Sequence, residues 1–117
     1  MKVKDFVREV RKEAAKRDYV GDVQIIDQGL YAVKMWLIIT PDMKVQLYYN
    51  ERTGTTNFAL LLHEERIYGR NKRGRSWHRH PVERPWEHDV SPEGAKPVSV
   101  AEFLQEVDKV LMEKKLL

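Results

Sequence analysis

Val3, Phe6, Val7, Val10 and Ala14 recur at helical spacing, so residues 3–17 are predicted to form an amphipathic helix with one apolar stripe in the core. Gly21 supplies a stop just beyond it. From Val23 the period shortens to two. Val23–Asp27 and Leu30–Thr40 read as strands joined at Gln28-Gly29. In the second strand, alternation places Tyr31, Val33, Met35, Leu37 and Ile39 on one face, and Ala32, Lys34, Trp36 and Ile38 on the other. Pro41-Asp42 carries turn chemistry. Lys44–Glu51 then alternates cleanly, with Val45, Leu47 and Tyr49 inward, and Arg52-Thr53-Gly54 turns the chain again. Thr55–Tyr68 is expected to be one long strand with a bend.

The last element carries its own start signal. Ser99 and Glu102 have the spacing of a capping box, Val98 and Phe103 that of a hydrophobic staple, and Pro97 enforces an extended entry. Val100, Phe103, Leu104, Val107, Val110 and Leu111 then form a buried stripe. Short connections between successive strands imply an antiparallel meander. The expected fold is therefore α+β and two-layered: a four-stranded meander covered on one face by an N-terminal and a C-terminal helix. The 117 residues suit one domain, with a connecting segment at about 69–97 that is expected to be irregular.

Composition narrows the class. A chain 42% hydrophobic and 33% charged is globular and not disordered. No apolar run reaches the roughly 18 residues that would suggest a membrane span. The N-terminal stretch lacks the apolar core of a secretory signal, and zero cysteines exclude disulfides and thiolate chemistry. A cytoplasmic protein with no membrane partner is expected, and its charged, cysteine-free composition suits life at high temperature. The net charge of +3 conceals an asymmetry, because residues 66–88 hold seven Lys or Arg against two Glu. The basic character is local, as expected of a surface that attracts phosphate or an acidic partner.

The same region gathers three of the four histidines, in SWHRHPVERPWEH (76–88). On an extended backbone His78 and His80 point to one side and Arg79 to the other. His88 can rejoin them if Pro81 and Pro85 fold the segment back, and His63 can face the same side. One reading is metal-independent RNA cleavage. His78, His80 and His88 would transfer protons, while Arg70, Arg73, Arg75 and Arg79 hold phosphate and Tyr68, Trp77 and Trp86 stack bases. Tyr48 is a further stacking candidate. A second reading is a non-enzymatic module whose basic segment binds nucleic acid or protein. A third is a metalloprotein, in which His78 and His80 are joined by His88 or by a carboxylate from Glu83, Glu87 or Asp89, although the spacing matches no zinc signature and the arginines oppose a cation. A fourth is a polar loop whose tryptophans merely pack. The leading expectation assigns neither metal nor cofactor.

The succession Arg66-Ile67-Tyr68-Gly69-Arg70-Asn71, Trp77-His78-Arg79-His80-Pro81, and Lys96-Pro97-Val98-Ser99 before Glu102-Phe103-Leu104 resembles the TumE family of small prokaryotic toxin–antitoxin proteins. The resemblance spans roughly residues 25–110. It implies a toxin-like protein with a cognate antitoxin as partner, and by analogy of class RNA as its target. Exposed strand edges are compatible with a homodimer, which no residue requires.

Overall fold

In the computed structural model, which describes all 117 residues, the first apolar stripe forms helix α1 (Val3–Ala14) and buries Val3, Phe6, Val10 and Ala14. Residues 15–17 leave the helix earlier than periodicity suggests, and the Arg17 side chain folds back to donate to the Glu13 carbonyl oxygen at 2.9 Å. Six strands follow in simple order: β1 (Asp22–Gln28), β2 (Ala32–Thr40), β3 (Met43–Asn50), β4 (Thr56–Leu62), β5 (Glu65–Arg73) and β6 (Ser76–His80). All neighbours pair antiparallel. Helix α2 (Val100–Glu113) completes the chain.

The α+β class and the antiparallel meander hold, but the sheet has six strands and not four. Thr55–Tyr68 is two strands, reversed at His63-Glu64, both at positive φ (51° and 66°) as a two-residue hairpin turn requires. That conformation normally falls to Asn or Gly, so neither residue announces it. The supposedly irregular segment is strand as far as His80. Arg73 pairs with Ser76 across Gly74-Arg75, and Gly74 supplies the positive φ (63°). Tyr31 is 45% exposed, because β2 begins one residue later. The edge strand β1 is broken by a register shift between Ile25 and Asp27.

One face of the sheet meets both helices. Val33, Met35, Leu37, Val45, Leu47, Phe58 and Leu60 join Phe6 and Val10 of α1 and Phe103, Leu104 and Val107 of α2 in a single buried cluster. Phe6 lies near Phe58 (centroids 6.2 Å apart), Phe58 contacts Phe103 (5.3 Å), and Phe103 meets Tyr68 (6.0 Å). These spacings fall in the range of favourable aromatic pairs. α2 opens with the capping box read from the sequence: Ser99 Oγ accepts from Glu102 N–H at 3.1 Å, and Glu102 Oε1 accepts from Ser99 N–H at 2.9 Å. All six residues of its apolar stripe are buried.

A charged tie fastens β5 to α2 within this layer. Arg70, 2% exposed, grips Glu106 through two 2.9 Å hydrogen bonds and donates to the carbonyls of Glu93 and Gly94. Tyr68 donates to the same carboxylate at 2.6 Å. Removing the acid would strand a buried guanidinium, so Glu106→Ala is expected to cost about 3–5 kcal/mol in denaturant unfolding. Burial, reinforced by Glu106, pushes the Tyr68 hydroxyl up to about 12. A raised folded value means its contribution is complete below the unfolded value of about 10 and is lost as pH rises through the folded one. Stability should therefore fall more steeply between pH 10 and 12 in the parent than in Tyr68→Phe.

Candidate functional site

Strand parity separates two chemistries on β5. Tyr68 and Arg70 face the helices, so Gly69, Asn71 and Arg73 face the uncovered side. β6 pairs Gly69 with His80 and Asn71 with His78, which brings both imidazoles to that uncovered face. Arg66 would share the face of Tyr68 in a regular strand. A bulge intervenes: Leu60 pairs with Tyr68, but the next residue, Leu61, pairs with Arg66. The skipped residue turns Arg66 to the open side, where its stem lies over Gly69. A Cβ at Gly69 would stand 3.0 Å from both Arg66 Cδ and the Phe58 carbonyl oxygen.

His88 arrives by a different route. Arg79 and Asp89 form an isolated antiparallel bridge, N–H to O at 3.0 Å and 2.8 Å, and Asp89 also accepts from the Arg79 guanidinium at 2.6 Å and 3.0 Å. With 79 opposite 89, residue 88 lies beside residue 80 and on its face. The three rings accordingly converge, with centroids 4.9 Å (His78–His80), 4.7 Å (His78–His88) and 4.9 Å (His80–His88) apart. Each offers one nitrogen within 4.8 Å of the others, close enough to hold one metal ion. Burial grades outward: His80 is 1% exposed, His78 half-buried and His88 exposed.

The histidines form the floor of a cleft of about 320 Å³ whose walls include Arg66, Lys72, Arg73, Asn57, Asn71 and Thr55. Neither carboxylate nor apolar side chain lines it. Arg66 Nε and Asn71 Oδ1 are buried there without hydrogen-bond partners. Burial, aided by Arg66, pushes His80 down to about 4 against the opposing effect of its bond to Pro85. Burial lowers His78 as well, followed by the effects of His88, Arg66 and Arg73. Both imidazoles are therefore neutral near pH 7, and His80 is no reservoir of acid. Its Nδ1 lies 2.9 Å from the Pro85 carbonyl oxygen, which can only accept, so the proton sits on Nδ1 and the lone pair on Nε2 faces the cleft. That nitrogen stands 3.2 Å from His78 Nε2.

The expected phosphate and base contacts divide sharply. Arg70 and Tyr68 lie on the opposite face, saturated by Glu106, and are structural ties instead of RNA contacts. Arg79 is held by Asp89, and its role is to dock the loop. Trp77 packs against the core and lines a groove of about 600 Å³ beside α1 with Phe6, Tyr49 and Phe58. That groove is larger, but its charged rim mixes Asp5 and Glu9 with Arg8 and Lys12, and it contains no imidazole. Trp86 stays 73% exposed, and Arg73 and Arg75 are exposed at or near the β5–β6 turn. His63 stands apart in the β4–β5 turn, 3.8 Å from Asp42. Arg66, Asn57, Asn71 and Lys72 are site residues the sequence reading did not assign. Alternation along β5 would have found Asn71, whereas only the bulge places Arg66.

The chain is thus an α+β protein with an acid-free, cationic cleft floored by three histidines. No family model, curated protein or solved structure matches it. Loop docking is the part most easily disturbed. A Cβ on Gly94 would fall 2.1 Å from the Asp89 carbonyl oxygen. Gly94→Ala should therefore displace the loop that carries His88. Limited proteolysis should then cleave within residues 81–97 several-fold faster than in the parent, by the order that local opening of about 1 kcal/mol implies.

Proposed function

We propose that the cleft binds the phosphodiester backbone of single-stranded RNA and that the three-histidine floor is the reactive centre for its cleavage. The observation that carries this reading is Arg66: a half-buried guanidinium with an unsatisfied Nε, set in a cleft with no carboxylate to neutralise it. Such a donor suits an anionic oxygen, and arginine can meet phosphate with two parallel hydrogen bonds. Arg73 extends the positive wall, and Lys72, which lines both this cleft and the groove beside α1, stands at its margin. Exposed Trp86, two residues from His88, offers a face on which an unpaired base can stack. The amides of Asn57 and Asn71 add neutral donors and acceptors that can read a sugar or base edge.

His78 and His88 occupy the accessible side of the floor, while His80 is fixed behind them by Pro85. A toxin role, with a cognate antitoxin covering the basic surface, is the biological setting that the TumE resemblance implies. It rests on that resemblance alone. The chemical reading is tested by binding and turnover on unstructured RNA. Replacing both Arg66 and Arg73 by Ala should weaken binding and reduce the slope of log affinity against log salt by about 0.7 per lost phosphate contact. His78→Ala and His88→Ala should keep most of the binding but lose about 100-fold or more in cleavage. Binding indifferent to the arginine pair, or cleavage indifferent to both histidines, would sink the proposal.

A further inference from the structure

We infer that His78, His80 and His88 form a coordination site for a divalent transition-metal ion of the zinc class. The inference goes beyond the RNA reading and holds for whatever anion enters the cleft; with the ion bound, the three imidazoles serve as ligands and no longer as proton-transfer groups. Its first support is distance. The Nε2 atoms of His78 and His80 lie 3.2 Å apart. Two nitrogens about 2.0–2.1 Å from a tetrahedral zinc ion are separated by about 3.3–3.4 Å. His88 brings its nitrogen within the same 4.8 Å set.

The second support is the proton inventory. The Pro85 carbonyl fixes the His80 proton on Nδ1, leaving Nε2 as a lone pair directed at its neighbours. A ligating histidine that donates its other ring N–H to a backbone carbonyl is the usual outer-shell arrangement at metal centres, because that bond fixes tautomer and ring orientation. The third is rigidity. His78 and His80 share a face of the paired strand β6, and the Arg79–Asp89 bridge fixes the residue after His88 and so places His88 across from His80. A flexible loop would have to be ordered by the ion at its own cost; this one is ordered already.

Donor chemistry selects the ion. Three imidazole nitrogens suit zinc, copper, nickel or iron, and the absence of carboxylate from the lining disfavours magnesium and calcium. Three protein ligands leave a coordination position open toward the cleft. Arg66 and Arg73 oppose a bare dication, so the fourth ligand should be an anion, either hydroxide or a phosphate oxygen, whose charge they balance. Metal and inorganic phosphate should consequently bind with positive, reciprocal coupling.

The test uses the full chain, prepared without an affinity tag and stripped of metal, in buffer without RNA. Zn²⁺ is titrated by calorimetry, and Co²⁺ by its visible ligand-field absorption. One ion per chain is expected, with Co²⁺ bands of a low-coordinate nitrogen site and tighter binding when phosphate is added. His88→Ala, a change at an exposed position, should retain the parent's circular dichroism and bind at least about tenfold more weakly. His63→Asn should bind like the parent, since asparagine tolerates the left-handed backbone there. Absence of stoichiometric binding, or parent-like binding by folded His88→Ala, overturns the inference. Because no RNA is present, either result is independent of whether the cleft accepts a nucleic acid.

Discussion

The site depends on the bridge between Arg79 and Asp89. Two backbone hydrogen bonds and a bidentate contact between the guanidinium and one carboxylate oxygen hold residue 89 against the outer edge of β6. Without that bridge, residues 81–97 would be a long connection with little secondary structure, and His88 would be an exposed histidine among many conformations. With it, alternation settles the rest. Residue 88 falls beside residue 80, Pro85 closes over the His80 ring, and three imidazoles meet. Ser91 and Arg79 together hold the Asp89 carboxyl down to about 2, so the clamp keeps its charge across the physiological range.

The second constraint is the separation of charges by face. Arg70 and Asn71 are neighbours in sequence but serve different layers: the first bonds α2, the second borders the imidazoles. A concentration of arginine between residues 66 and 88 therefore overstates the cationic surface, because Arg70 and Arg79 are already neutralised by acids from outside that segment, Glu106 and Asp89. The guanidinium at Arg66 differs from both. Burial without a partner lowers its proton affinity and leaves its donors available.

Much of this arrangement is legible in the sequence. Helical periodicity found both helices, and the capping box set the start of α2 to the residue. Period-two alternation found β2 and β3, and the shared face of His78 and His80. What escaped was written in weak or absent signals. His63-Glu64 bends like Asn-Gly without resembling it, so one strand was read where two exist. Once β5 was missed, parity could not be applied to it, and Arg70 was grouped with histidines on the other side of the sheet. The bulge that turns Arg66 has no residue of its own to mark it. Tyr68 looked like a stacking platform because aromatic residues in a basic segment suit RNA, and only the position of Glu106, 38 residues away, shows it as a structural hydroxyl.

The interrupted register of β1 and the residue docked on β6 share a consequence for self-association. A strand added beside β1 would meet a skipped residue between Ile25 and Asp27, with carboxylates at Asp22 and Asp27 along the same edge. One added beside β6 would find the backbone of Arg79 already bonded to Asp89. Irregularity, charge and a covering loop are the means by which sheets resist growth from chain to chain. Both margins of the sheet thus disfavour extension from one copy to the next. The loop that completes the histidine trio also closes one margin of the fold to backbone pairing.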